Sequence, residues 1–212
     1  MEALIQQSKT HILQSNLEGQ EKERNRLAKE LHDDLGGRIT ALRYFISSKK
    51  ELLDSKDEKM LKTELKEIQR YVRNISHKLA KPRFTSVSLP ELINEQKFWV
   101  DNSDINLRFN FSPDITWNKI PEEHQNQMYR IVQEALTNAL KHAKASTIEI
   151  NIAENSGKLE IEICDDGIGI GSGLSNGIGI KNMQERAAVI HSELLIESQN
   201  NNGTAVRLIY AS

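Results

Sequence analysis

The chain has 212 residues, of which 38% are hydrophobic, 5% aromatic and 27% charged, an ordinary composition for an ordered protein with an aliphatic core. The net charge of −2 argues against a general, direct nucleic-acid binder. Cys164 is the only cysteine, which excludes an internal disulfide and a cysteine-based metal cluster and fits a reducing cytoplasm. No apolar run reaches the roughly 20 residues that span a bilayer.

The first 80 residues contain no proline and carry 16 basic against 13 acidic side chains. From Ala28, the positions Leu31, Leu35, Arg38, Leu42, Phe45, Lys49 and Leu52 recur at alternating spacings of three and four, a heptad seam with two basic interruptions. After the polar break Asp54–Glu58 the spacing resumes at Leu61, Leu65, Ile68, Val72, Ile75 and Leu79, and Lys81-Pro82 ends the helix. Two helices joined by a short loop predict an antiparallel hairpin. Its apolar stripe predicts a second copy and a two-fold four-helix bundle, the competing reading being a helical cap on the second half. Upstream, Leu4, Ile5, Ile12, Leu13 and Leu17 predict a helix feeding the bundle.

Beyond Pro82 the period changes. Ile105–Phe111, Ser146–Ala153, Lys158–Cys164, Glu193–Ser198 and Thr204–Tyr210 are short, β-branched and partly alternating, as strands are. Leu89–Val100, Glu122–Ala143 and Ile180–Ile190 read as helices, the second following Pro121. The expectation is an α+β chain: a dimerising helical hairpin over residues 1–82, then an α/β sandwich over residues 83–212.

The helix after Pro121 places Met128, Ile131, Val132, Ala135, Ala139 and Ala143 on one side, and Arg130, Glu134, Asn138 and Lys141 opposite. Charges opposite a core stripe are ordinarily a solvated face, but asparagine is a poor helix former and points to a role. The strand Lys158–Cys164 then runs into Asp165-Asp-Gly-Ile-Gly169, an acidic pair with an alternating glycine turn. Gly177-Ile-Gly179 opens the next helix, and Gly203-Thr204 leads into the last strand. Glycines allow close backbone approach, and a helix N-terminus presents N–H groups to phosphate. A carboxylate ending a buried strand can accept a hydrogen bond from an exocyclic amine. The set is neither a Walker loop nor a Rossmann fingerprint.

In this order the residues Glu134, Asn138, Lys141-His142, Asp165-x-Gly167-x-Gly169, Gly177-x-Gly179 and Gly203-Thr204 resemble the ATP-binding fold shared by gyrase, the heat-shock chaperone Hsp90, MutL and histidine kinases. The resemblance implies that Asn138 coordinates a Mg²⁺ ion bridging the phosphates of ATP, with Glu134 near that metal. It implies Lys141 and His142 beside the phosphates and Asp165 on the adenine amino group. Gly167 and Gly169 would shape that pocket, residues from about Gly171 to Asn182 would form a mobile lid, and Thr204 would lie beside the adenine.

On the first helix stands Arg24-x-x-Leu-Ala-Lys-Glu-Leu-His32-Asp33-Asp34-Leu-Gly36-Gly37. A lone helical histidine is ordinarily structural. Beside an ATP-binding domain, an exposed neutral imidazole followed by a carboxylate gains weight as an oriented nucleophile. The segment resembles the phosphoacceptor helix of two-component sensor histidine kinases, in the class that partners NarL-type response regulators. With the helix feeding the bundle from upstream, the resemblance implies that the chain is the cytoplasmic portion of a larger receptor, any membrane anchor lying in an upstream sensor. It also implies phosphorylation of His32, with Asp33 as its hydrogen-bonded partner or general base, and passage of the phosphoryl group to an aspartate of a separate receiver docked on the homodimeric bundle. Members of the class often carry glutamine five residues after the phosphoacceptor, where it serves dephosphorylation of the partner; here Gly37 stands there, which puts that activity in doubt. The Gly36-Gly37 pair weakens the helix by roughly 1 kcal/mol per glycine relative to alanine, so a bend or looseness is expected beyond His32. The alternatives are another ATPase of the same superfamily and an ATP-binding dimer of weak kinase activity. His11, His77, His124 and His191 receive no role, and Cys164, Trp99 and Trp117 are expected to pack.

Overall fold

In a computed structural model, the structure describes residues 1–48, 55–80, 87–99, 105–170, 177–198 and 202–211. The chain divides into two compact units, one formed by Ser15–Lys81 and the other by Pro82–Ser212 with Met1–Gln14. Helix α1 spans Glu2–Glu30, a π-helical turn follows at Leu31–Leu35, and helix α2 continues over Gly36–Ser48. Helix α3, Ser55–Leu79, returns alongside α2 and is tied to it by Arg43, whose Nη1 donates to Oε1 of Gln69 at 3.0 Å.

The hairpin corrects the predicted seam in a specific way. The buried cluster between its helices consists of Ile39, Ile46, Leu65 and Val72, whereas Leu35, Leu42 and Phe45 remain 40%, 47% and 59% exposed. The π-turn supplies the reason. It inserts about one residue into the helical repeat, so the inward positions fall one residue later than a strict heptad, at 39 and 46 rather than 38 and 45. On α3 the predicted seam divides likewise, Leu65 and Val72 facing inward while Leu61 and Ile68 stay exposed. Each helix thus carries two apolar stripes, one satisfied within the hairpin and one not. The irregularity lies at His32 itself, in the π-turn Leu31–Leu35, and not at the glycines where a bend was expected: helix α2 begins at Gly36 and passes through both. Lys49 and Leu52 of the predicted seam lie outside the described residues.

The second unit is a two-layer sandwich. Strands β1 (Asn106–Phe111), β2 (Thr147–Asn155), β3 (Lys158–Asp165), β4 (Glu193–Ser198) and β5 (Thr204–Ala211) form one sheet in the order β1-β2-β3-β5-β4. Only β1–β2 pair in parallel. Alternation puts Ile148, Ile150, Ile152, Leu159, Ile161, Ile163, Val206, Leu208 and Tyr210 on one buried face. Against it pack helices α4 (Leu89–Asn94), α5 (Glu122–Asn138) and α6 (Ile178–Val189) through Leu89, Ile93, Met128, Ile131, Val132, Met183 and Ala187.

Two helices are shorter than predicted. Ser88 and Glu91 form a capping box at the start of α4, but the helix tightens into a 3-10 turn at Glu95–Trp99, where buried Gln96 donates to the Tyr129 hydroxyl at 2.7 Å. Helix α5 becomes a second π-turn at Ala139–Ala143 and ends at Lys144 in a left-handed conformation, φ 52°. Residue pairing in the sheet sets Asp165, the last residue of β3, opposite Thr204, the first of β5. The elements that carry the glycine motifs therefore converge at one end of the sheet.

Candidate functional site

His32 and Asp33 lie in the first π-turn, both side chains more than half exposed. Nδ1 of His32 is 3.2 Å from Oδ1 of Asp33. A carboxylate accepts there, so the proton belongs on Nδ1 and the lone pair on Nε2. Beside them runs a groove of about 420 Å³ lined by His32, Asp33, Gly36, Gly37, Thr40, Gln69 and Val72. A Cβ at Gly36 or Gly37 would meet nothing within 4 Å, so the two glycines leave that groove open on the side of α2.

In the sandwich unit, Glu134 and Asn138 are half-buried on α5, one helical turn apart on the same side. They face the start of α6: a Cβ on Gly179 would collide with the Glu134 carboxylate and lie 3.5 Å from the Asn138 amide nitrogen. Helix α6 begins two residues earlier than predicted, with Gly177 as its N-cap and Gly179 within the first turn. A carboxylate, a carboxamide and a helix N-terminus thus meet in one place. Lys141 and His142 are exposed on the π-turn that follows Asn138.

The Asp165–Gly169 turn docks on the end of that π-turn. Ile168 N–H donates to the Ala143 carbonyl at 2.8 Å, and Gly167 lies so close to the same carbonyl that a Cβ would overlap it. Gly167 N–H donates to Oδ1 of Asp165 at 3.0 Å, and its carbonyl accepts from Gly203 N–H at 2.8 Å. Gly203 has φ 75°, and its Cα side faces the Asp165 carbonyl at a distance that admits no Cβ. Burial pushes the Asp165 carboxyl above the ordinary aspartate value, opposed by hydrogen bonds from Gly167 and Thr204.

The adjacent carboxylate behaves oppositely. Asp166 accepts from Ser146 N–H at 2.7 Å, Ser146 Oγ–H at 2.6 Å and Thr147 N–H at 2.9 Å, which hold it down at about 2. By composition alone the two form an acidic pair; only the resemblance singles out Asp165, and nothing in the sequence gives Asp166 its structural part. Sequence reading also missed Ser198, whose hydroxyl accepts from Ile170 N–H at 2.7 Å and donates to the Gly203 carbonyl at 3.1 Å. Nothing in the local sequence marks that serine, because the partner that distinguishes it, Ile170, lies 28 residues earlier in the chain.

Two other expectations change. Arg130, assigned to the polar face of α5, is buried, donating to Gln133 Oε1 at 2.8 Å beside the Tyr129 ring. Cys164 is half-buried rather than fully packed away, with its thiol pushed up to about 11, mainly by burial. Trp117 packs against the sandwich core. Residues 171–176 of the expected lid lie outside the described residues.

Comparison with known proteins follows the same division. Residues 123–211 match the family of histidine kinase-, DNA gyrase B- and HSP90-like ATPases, and residues 23–79 match a histidine kinase family. The oxygen sensor histidine kinase NreB of Staphylococcus carnosus is 28% identical over 206 residues, covering 93% of this chain and 58% of NreB. The chain therefore spans little more than half the length of that relative. The histidine kinase domain of the EL346 blue-light activated histidine kinase of Erythrobacter litoralis superposes with a TM-score of 0.51 at 18% identity, over 91% of this chain and 94% of that one. Full-length ShkA in complex with AMPPNP gives a TM-score of 0.54 at 14% identity, over 89% and 45%. At those identities the two structures speak for a shared fold. No helix among the described residues is long and apolar enough to cross a membrane.

Proposed function

Because the chain belongs to the sensor histidine kinases, joining their phosphoacceptor-type helices to their ATPase-type domain, we propose that it phosphorylates its own His32 from Mg-ATP and passes the phosphoryl group to an aspartate of a separate, NarL-type receiver. The observation that carries this reading is the exposed His32–Asp33 pair, with Nδ1 engaged and Nε2 open.

Residues 1–82 act as the dimerisation and phosphotransfer module and residues 83–212 as the ATP-binding module. In the second, Asp165 accepts from the adenine amino group, Gly167 and Gly169 shape the base pocket and Thr204 stands beside it. The start of α6, at Gly177 and Gly179, faces the phosphates, with Lys141 and His142 as nearby cations. Asn138 is the side chain that would hold Mg²⁺, with Glu134 beside it. The fit is chemical: a carboxylate and a carboxamide side chain, the latter with an oxygen of its own to offer, meet at an anion-favouring helix start and suit an ion that takes few protein ligands and several phosphate oxygens. When bound, the metal supplies neutralisation of phosphate charge.

For transfer, the Nε2 lone pair of His32 attacks the γ-phosphorus in line. A nitrogen–phosphorus bond forms, the bond to the β–γ bridging oxygen breaks, and ADP leaves. Positive charge develops on the imidazole, and Asp33 stabilises it through Nδ1–H. The receiver aspartate then attacks the same phosphorus and returns the electron pair to Nε2. The exposed stripe of Leu35, Leu42, Phe45, Leu61 and Ile68 is the surface through which two chains form the bundle.

The test is incubation of the chain with γ-labelled ATP and Mg²⁺, beside His32→Gln and Asn138→Ala. Label that survives alkali, is lost in acid and is absent from both variants supports the proposal. Label that persists in His32→Gln overturns the assignment of the phosphoacceptor.

A further inference from the structure

We infer that Ser198 is a positioning residue of the nucleotide site, its hydroxyl tying the exit of the Asp165–Gly169 turn to Gly203-Thr204 and so setting where Asp165 and Thr204 stand. The inference rests on the proposed adenine contacts and extends them to a residue at the end of β4. Ser198 is paired with Thr204 across the β4–β5 ladder, where a side chain would ordinarily have only its neighbours to meet. Its hydroxyl instead reaches three points. It accepts from Ile170 N–H at 2.7 Å, 28 residues earlier in the chain, donates to the Gly203 carbonyl at 3.1 Å, and lies 3.4 Å from Thr204 Oγ1.

Those bonds use the capacity of one hydroxyl, a single donor and two acceptor lone pairs. They run parallel to one backbone bond, Gly203 N–H to the Gly167 carbonyl at 2.8 Å. The glycine turn is thus fastened to the β4–β5 hairpin on both sides of Gly169, at Gly167 by backbone and at Ile170 by Ser198. Asp165 stands two residues before the first fastening and is coupled to it, facing Thr204 in the β3–β5 register and accepting from Gly167 N–H. With the second gone, Ile170 N–H loses its acceptor and the β4–β5 hairpin holds the turn by the Gly203–Gly167 bond alone, although Ile168 still donates to the Ala143 carbonyl and Asp166 still accepts from Ser146 and Thr147. The base-binding end of the site then loosens, while the α5–α6 end keeps its own contacts.

The expected consequence is a split. In the full chain, Ser198→Ala raises both Kd and KM for Mg-ATP about fivefold, as the loss of roughly one net hydrogen bond implies, while kcat for autophosphorylation stays within about twofold. Ser198→Thr restores the hydroxyl and stays close to the parent. In nucleotide-free protein, hydrogen exchange at the Ile170 amide accelerates in Ser198→Ala and not in Ser198→Thr. Should Ser198→Ala fail to fold, Ser198→Cys, nearly isosteric with a weak donor and acceptor, carries the same comparison. Parent-like affinity in Ser198→Ala or Ser198→Cys, or equal loss in Ser198→Thr, overturns the inference and leaves the ATP site standing. Mg-ATP binding that is unchanged in Asp165→Asn, or absent from the parent, overturns the adenine assignment and this inference with it.

Discussion

Ser146 places both its backbone N–H and its hydroxyl on the carboxylate of Asp166, at 2.7 and 2.6 Å. With Thr147 N–H, they fasten the glycine turn to the start of β2 and hold Asp166 down at about 2 from an ordinary 3.8. A carboxylate depressed by folding stabilises the fold above its unfolded value and stops doing so as pH falls through its folded one. The stability gap between the parent and Asp166→Asn is therefore expected to be full at neutral pH and to close between 3.8 and about 2. Denaturant melts of both proteins across that range measure it; a gap that does not narrow counts against the clamp.

Asp165 has the opposite sign. Burial raises it, so its folded form takes up a proton in milder acid than an ordinary aspartate does. An adenine amine needs the ionised, accepting form. ATP affinity is thus expected to fall with acidification before the Asp166 clamp releases. Asp165→Asn removes a charge-assisted bond worth about 1.5–3 kcal/mol, or roughly 10- to 100-fold in Kd, and abolishes the part of the pH dependence that belongs to the protein. Calorimetric titration of both proteins over a pH series decides the matter, with Asp165→Asn supplying the baseline for titration of the nucleotide itself.

The sandwich was largely legible in the sequence, because its core strands alternate cleanly and its glycine motifs sit at strand and helix ends. All five strands fall within two residues of where alternation placed them. The α5 stripe from Met128 to Ala143 is buried throughout. What stayed hidden depends on long-range contacts: the Ser198 hydroxyl, the different fates of Asp165 and Asp166, and the burial of Arg130 beside Tyr129. The hairpin was legible in kind but not in register, because a heptad count assumes an unbroken α-helical repeat and no residue pattern announces the π-turn at Leu31–Leu35. Periodicity also cannot say whether an apolar position meets its own hairpin or another chain; burial separates Ile39 from Leu42.

Gly203 and Gly157 share φ 75° and differ in surroundings, which makes them a controlled pair. A Cβ at Gly157 meets nothing within 4 Å, so Gly157→Ala carries only backbone strain, about 1–2 kcal/mol. At Gly203 the Cβ meets the Asp165 carbonyl, which must move and take the Asp165 turn with it. Gly203→Ala is expected to lose more stability than Gly157→Ala and to lose ATP affinity as well, while Gly157→Ala keeps it. Thermal melts paired with ATP titration separate the two outcomes; equal ATP affinity in both variants sinks the argument for close approach.

The two stripes of the hairpin make separable predictions. Ile39 is buried against α3, and Ile39→Ala is expected to destabilise the helical unit by about 2–5 kcal/mol, the usual range for emptying a core position. Leu42 and Ile68 are 47% and 48% exposed, so a charge there costs the single hairpin little. In a four-helix dimer the same charges would be buried without partners, at several kcal/mol each. The double variant Leu42→Glu/Ile68→Glu is therefore expected to sediment as a monomer while Ile39→Ala remains dimeric at high protein concentration. A double variant that stays dimeric would move the interface off the Leu42–Ile68 stripe and leave the apolar positions of α2 and α3 without a partner.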